Sequence, residues 1–388
     1  MKRSLSRRSL LQGVTGIAAA GGLAGVVDLA RAASADRSNA TERLRVGYLP
    51  ITDAAPLLVA HSEGLYQPNV VSTSKPVLFR SWASLAEAFV SREVDIVHLL
   101  MPMAIQLRYS LGSDVKILGW NHTNGSAFTV APHIRELGDL AGQQVAIPFW
   151  WSIHNIAIQK LFRAHGLIPV VRQRASKSGR TVELIVMSPS DMVPALAAGS
   201  IGGYTVADPF NAVAEIRGIG RIHSFIGDVW REHACCALLV HADLIERNPT
   251  AVQGITNAVV AAQIKIVGDR GAASAMLSDG KYLPQPLPAI TKSLTYQADK
   301  YVVAHPEWEP QRIGFQPFPF SSFTAELVEA MHNTVVDGDT RFLDRLDPNT
   351  THDDLVDDRF VRQSIDLYGG PGVVGLSSFS RTEEVDAS

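Results

Sequence analysis

Seven short segments hold most of the residues that could do chemistry. They are Pro50-Ile51-Thr52-Asp53-Ala54, Ser81-Trp82, Met101-Pro102-Met103, Asn121-His122-Thr123-Asn124-Gly125-Ser126, Phe149-Trp150-Trp151-Ser152-Ile153-His154-Asn155, Ala207-Asp208-Pro209-Phe210 and Trp230-Arg231-Glu232-His233. They share aromatics, small hydroxyls, amides and histidines, with few charges. That composition suits a pocket enclosing a small polar molecule between aromatic walls and hydrogen-bonding groups. It suits a phosphate cradle poorly, because neither type of Gly-rich phosphate loop is present. Trp82, Trp120, Trp150, Trp151 and Trp230 all lie in or beside these segments. Any one of them alone reads as core packing; the clustering points to a cleft.

The segment around Ser152 is the most mechanistic. Ser152 can cap a helix whose first N–H groups lack intrahelical partners and carry partial positive charge. An anion or carbonyl oxygen can sit there without a side-chain cation. Ser152, His154 and Asn155 add donors, although the same residues describe an ordinary capped helix equally well. Enzyme templates fail: there is no His-Glu-x-x-His, Gly-x-Ser-x-Gly or Cys-x-x-Cys. His122, His154 and His233 could act as bases, but no nucleophile is visibly paired with them. The twelve histidines show no ligand spacing, so no metal site and no cofactor is expected. Cys235-Cys236 could be a vicinal redox pair; small buried residues in the apolar strand 234–240 is the preferred reading.

Short β-rich runs alternating with helical runs must position these segments. Strands are expected at 44–49, 77–79, 95–99, 115–120, 127–131, 144–148, 181–187, 203–206, 221–225 and 235–241. Helices are expected at 54–62, at 84–90 with a capping box from Ser84 to Glu87, from Pro102, at 152–165, at 191–198 capped by Ser190, at 249–267 and at 326–344. This alternation argues an α/β fold with largely parallel sheets. In such sheets ligands bind at the carboxyl ends of the strands, which is where most of the seven segments fall. The basic stretch Arg172, Arg174, Lys177, Arg180 reads as a solvated loop. Residues 281–322 are rich in Pro and aromatics and irregular in period.

Composition agrees with a globular chain. It has 388 residues, 46% hydrophobic and 19% charged, with a formal charge of −3. The length suggests two or three domains, and two cysteines exclude a disulfide scaffold. The charge balance gives no footprint for nucleic acid. Residues 1–32 read as an export signal. Ser6-Arg7-Arg8-Ser9-Leu10-Leu11 fits a twin-arginine signal, residues 13–27 are mildly apolar, and Ala30-Arg31-Ala32 has the form of a cleavage site. Five basic groups and Asp28 give this segment a net +4, which takes the remainder from −3 to −7. No other segment reads as long and apolar enough to span a bilayer, so a soluble extracytoplasmic protein without stable membrane insertion is expected.

Arg45-Val46-Gly47-Tyr48-Leu49-Pro50 followed by Glu63-Gly64-Leu65-Tyr66 resembles the start of periplasmic substrate-binding proteins of ABC transporters for nitrate, bicarbonate, sulfonates and taurine. So does Asp95-Ile96-Val97-His98 before Met101-Pro102-Met103. The segments 147–155, 203–210 and 228–236 resemble the nitrate/bicarbonate branch and the family's second lobe. The likeness covers about residues 44–265. It implies an α/β, two-lobe periplasmic binding protein fold of type II, with a mixed, mostly parallel sheet in each lobe and a hinge between them. The divisions it implies are lobe 1 at 44–126, lobe 2 at 127–230 and a return to lobe 1 with C-terminal helices at 231–368; polar composition gives a linker at 33–43, and a Gly/Ser-rich then acidic end gives a mobile tail at 369–388. A small ligand would be trapped between the lobes and handed to ABC permease and ATPase subunits. Carried over by position, Trp82, Gly125, Ser152, His154, Asn155 and Asp208 would line the cleft. Relatives that bind small anions tend to offer a basic side chain within 230–236; here the candidates are Arg231, His233 or neither, which puts nitrate in doubt. Asp208 would favour a ligand that donates hydrogen bonds. The calcium of bicarbonate binders needs carboxylates that find no place here. Two alternatives remain. One is an enzyme on the same fold, resembling pyrimidine-precursor synthases or sulfinate desulfinases; the other is a periplasmic sensor.

Overall fold

The computed structural model describes residues 43–308 and 312–388. The expected signal segment 1–32 and all of the linker 33–43 except Arg43 lie outside them. Eleven strands form two sheets. The first contains β1 (Val46–Tyr48), β2 (Val77–Leu78), β3 (Ile96–Leu100), β4 (Val115–Trp120) and β11 (Cys236–His241), in the order β2-β1-β3-β11-β4. The second contains β5 (Ser126–Val130), β6 (Gln144–Ile147), β7 (Ile168–Val170), β8 (Thr181–Val186), β9 (Gly203–Ala207) and β10 (Arg221–Phe225), in the order β10-β5-β9-β6-β8-β7. Strand β7 lies in what reads from sequence as a loop.

Each sheet is mixed and mostly parallel, as expected, with one reversed strand. In the first, β1 pairs parallel with β2 and β3, whereas β11 runs antiparallel to both β3 and β4. The cause is connectivity: β11 returns from the other lobe and enters the sheet from the opposite end. In the second, β6, β7, β8 and β9 pair parallel, and β5 is antiparallel to β9 and β10. Central strands such as Ile96-Val97-His98-Leu99-Leu100 are buried throughout, as expected for strands covered on both faces.

Most helices start as the residues predict. Ser152 caps Ile153–Ala164 by accepting the Asn155 N–H at 3.1 Å, and Gly166, at φ +69°, follows its end. Three helices differ from the sequence reading. Trp82–Val90 is capped by Ser81, not Ser84, because Ser81 has the extended backbone and accepts the Ser84 N–H. Pro189–Ala197 starts at Pro189, after Ser188, so Ser190 lies inside its first turn. The C-terminal helix is Ser321–His332 rather than 326–344; irregular chain follows it, broken by the short turn Leu343–Arg345. Gly338 and Asp337 in that stretch favour turn over helix.

One helix, Pro249–Gly268, is long and apolar enough to cross a membrane by length and composition. More than half of it is buried inside the protein, where it packs against Ala55–Ser62 and Arg359–Leu367. It is a core helix of the first lobe.

The lobes are joined by two crossings, 121–125 and 226–235, which run side by side. Thr123 bridges Ala234, and Asn124 N–H donates to the His233 carbonyl at 2.9 Å. Thr123 also bridges Gly314, so a third segment braces the first crossing. The tail expected to be mobile is instead docked. Trp230 bridges Val385, its indole N–H donates to Glu383 at 2.9 Å, and Arg231 pairs with Glu384 at 3.1 Å. The acidic residues that read as a solvated end are partners for groups on the second crossing.

Candidate functional site

The start of β11 meets the carboxyl ends of its neighbours, because β11 is antiparallel to them. Cys236 lies opposite Leu100, the last residue of β3, and Ala237 lies opposite Trp120, the last residue of β4. The residues that follow β1, β3 and β4 therefore converge on Cys235 and Cys236. Asp53 sits in the turn Thr52–Ala54 after β1, and His122 sits in the crossing after β4. His122 Nε2 is 3.0 Å from Asp53 Oδ2. Both thiols are free, 3.6 Å from that same oxygen and 3.9 Å from each other. All four residues are fully buried. The Asn121 side-chain amide donates to the Asp53 carbonyl and holds the turn in place.

Further imidazoles surround this group. His98, from the middle of β3, accepts the Leu49 N–H at 3.1 Å and meets the Trp82 ring edge at a centroid distance of 5.5 Å. His154, in the first turn of its helix, shares a hydrogen bond of 2.8 Å with Ser126 Oγ. His233 shares one of 2.9 Å with the Trp230 carbonyl. Among the described residues the remaining ring nitrogens, His98 Nδ1, His154 Nδ1 and His233 Nε2, are buried without partners, as are Asp53 Oδ1, Asn124 Oδ1 and Thr205 Oγ1. So many orphaned buried polar atoms in one region call for an occupant.

Electrostatics divides the histidines. Burial holds His98, His154 and His233 neutral, each down at about 3, and the positive charge of His122 adds to the effect. Burial also works against a charged His122, but the adjacent Asp53 outweighs it and holds the imidazolium up at about 10. Burial pushes the Asp208 carboxyl up to about 7, against hydrogen bonds from the Ala212 N–H and the Tyr296 hydroxyl.

The two lobes touch here. Thr52 donates its N–H and its hydroxyl to the Asp208 carbonyl, at 2.8 and 3.0 Å. Asp208 follows β9 and Thr52 follows β1, so the carboxyl ends of both sheets face one another. Of the six residues singled out from sequence, Asp208 makes this contact, while Trp82 is buried against His98 and His154 against Ser126. Gly125 is in the first crossing at φ +81°, and a Cβ there would meet Ile313 at 2.9 Å. Ser152 and Asn155 use their side chains internally. Ser152 Oγ donates to the Phe149 carbonyl at 2.8 Å, and the Asn155 amide donates to the Trp150 carbonyl at 2.9 Å and accepts from Gln159. What these two contribute is the helix start itself.

Sequence reasoning did not single out Asp53 or His98 as candidate site residues, and its preferred reading of the cysteines, small buried residues, agrees with their full burial. Asp53 was within reach of the rule that sites form at strand ends. The cysteines were not, since their placement depends on β11 entering its sheet backwards. Cavity size misleads as well. A surface groove of about 650 Å³ between Ile156, Lys160, Arg163, Thr334 and Asp386 contains none of the clustered residues.

Two sheets, two crossings and facing carboxyl ends define a two-lobed binding-protein fold. The periplasmic nitrate-binding protein NrtA from Synechocystis has this fold, with a TM-score of 0.70 at 19% identity over 87% of this chain and 92% of that one. The ligand-binding component of an ABC-type import system from Staphylococcus aureus, with zinc bound, superposes with a TM-score of 0.65 at 21% identity over 83% of this chain and 99% of that one. In sequence, the nitrate/nitrite binding protein NrtA of Nostoc is 26% identical over 259 residues, which is 60% of this chain and 57% of the relative. The chain spans about half the length of the curated relatives it matches. Residues 37–278 match the NMT1-like family, and the chain belongs to it.

Proposed function

We propose that this chain is the extracytoplasmic solute-binding component of an ABC importer, exported by a twin-arginine signal. On this reading it traps a small polar solute between its lobes and presents it to permease and ATPase subunits. The observation that carries the reading is the interlobe contact. Thr52 and Asp208 close two sheets over a region where several buried polar atoms lack partners. Trp82, His154 and Asp208 would wall and orient the solute, the helix start capped by Ser152 would offer the Ile153 and His154 N–H groups while Asn155 secures the cap, and Gly125 would allow the crossing to turn. The two crossings would serve as the hinge.

No lysine or arginine is buried among the described residues. With Asp208 held at about 7, the region favours a neutral or zwitterionic solute that donates hydrogen bonds over a bare anion such as nitrate. A thermal-shift panel of nitrate, nitrite, bicarbonate, taurine, alkanesulfonates, amides and pyrimidines tests the reading. A solute at about 100 times its Kd should add about 2.7 kcal/mol. One class should shift the melting point without being consumed. Trp82→Ala should weaken that solute at least about tenfold, or about 1.4 kcal/mol. Turnover of the solute that is lost in His154→Ala would instead establish an enzyme on this fold.

A further inference from the structure

Four donor groups from three separate pieces of chain converge in the first lobe. Asp53 comes from the turn after β1, His122 from the first crossing, and Cys235 and Cys236 from the end of the second crossing and the start of β11. Their ligand atoms all lie within 4.8 Å of one another. We propose that these four side chains form a closed, four-coordinate site for one thiophilic cation of the Zn²⁺ class.

The spacings carry the proposal. A tetrahedral zinc with Zn–S of about 2.3 Å and Zn–N or Zn–O of about 2.0 Å requires S···S of about 3.8 Å, S···O of about 3.5 Å and N···O of about 3.3 Å. The observed separations are 3.9 Å between the sulfurs, 3.6 Å from each sulfur to Asp53 Oδ2, and 3.0 Å from that oxygen to His122 Nε2. A disulfide would need the sulfurs at about 2.05 Å, so the pair is poised around a common centre, not bonded. Cys235 precedes the regular strand, which lets two consecutive cysteines face one carboxylate.

The donor set also selects the ion. Two sulfurs and an imidazole are soft or borderline ligands that favour zinc and its thiophilic relatives over Mg²⁺, Ca²⁺ or Mn²⁺. A second observation points the same way. His122 Nε2, the nitrogen aimed at Asp53 Oδ2 and fully buried, has no hydrogen bond of good geometry among the described residues. Binding would release both thiol protons and the His122 Nε2 proton to solvent, and leave two thiolates, a neutral imidazole and the Asp53 carboxylate on the metal. All four ligands belong to the first lobe and its crossings, so the site does not rest on a solute being bound in the cleft. The second lobe only covers it, through the contact of Asp208 with Thr52.

The full chain, stripped with a chelator and kept reduced, should be titrated with Co²⁺. The expected result is one equivalent taken up with tetrahedral ligand-field bands and thiolate-to-cobalt charge transfer. Zn²⁺ should displace it and raise the melting point, while Mg²⁺ and Ca²⁺ do neither. Cys235→Ser, Cys236→Ser and Asp53→Asn should each weaken Co²⁺ at least about tenfold, measured by competition with a metal indicator. If a variant does not fold, the wild-type titration decides alone. A folded, stripped chain with both thiols counted as free but showing no cobalt–thiolate band overturns the proposal. So does an undiminished band in the double cysteine variant. Running the solute panel on stripped and zinc-loaded protein keeps the two readings apart. A solute shift in both forms with a blank cobalt titration removes only the metal site, and a cobalt band with no solute shift removes only the solute reading.

Discussion

Ser152 caps its helix, as read from sequence, and its hydroxyl is committed to Asn155 and Phe149. Ser152→Ala should therefore lower stability by about 1 kcal/mol in urea denaturation. Gly125 is a residue whose backbone, not its chemistry, sets its role. Its φ of +81° and the 2.9 Å approach of Ile313 leave no room for a methyl group. Gly125→Ala should cost more than about 1 kcal/mol, and Ile313→Ala in the same chain should recover part of the loss by removing the clash but not the backbone strain. Full recovery would show that the positive φ carries no penalty.

At the scale of elements, the C-terminal segment changes the picture most. Glu383 accepts the Trp230 indole N–H at 2.9 Å and the Ser322 hydroxyl at 2.8 Å, and it pairs with Arg381 at 2.8 Å. The Arg381 guanidinium lies over the Trp120 and Phe320 rings at 5.0 and 4.6 Å. The tail thus clamps the second crossing against the end of β4. Glu383→Ala would strand the buried Trp230 N–H and should cost about 2 kcal/mol. Calorimetry should find a loss at least as large on deleting 381–388. A deletion that leaves the melting point unchanged would mean that the segment only rests on the surface. The sequence hid this clamp because Gly, Ser and acidic residues at a chain end compose a solvated tail equally well.

For the whole molecule, buried neutral histidines set the response to acid. Burial, with help from Arg92, brings His241 down to about 4, although its contact with the Phe89 carbonyl at 2.9 Å works the other way. Burial brings His223 to about 4 as well. In the unfolded chain both titrate near 6.5, so between about pH 6.5 and 4 the unfolded state binds more protons than the folded one. Stability is therefore lost as pH falls through that window, by about 2 kcal/mol per histidine on reaching pH 5. His241→Gln should flatten the fall in melting point between pH 7 and 5. An equally steep fall in that variant would place the acid sensitivity elsewhere.

Most of the architecture was legible along the chain, because it rests on local patterns. Apolar runs bounded by turns marked ten of the eleven strands, and Ser152 and Pro249 marked helix starts. The short strand Ile168–Val170 escaped because Pro169 and the basic residues after it look like loop. Strand ends with aromatics and histidines were visible as a cleft lining only in kind: composition says that polar groups gather, not which atoms meet. That an α/β chain would form, with its chemistry on the loops, follows from periodicity and residue type; its two lobes were implied by the family resemblance. That Asp53, His122, Cys235 and Cys236 share one centre was decided by tertiary structure. Residues separated by as many as 183 positions become neighbours only when β11 returns from the second lobe and enters its sheet antiparallel, and no local pattern encodes that direction.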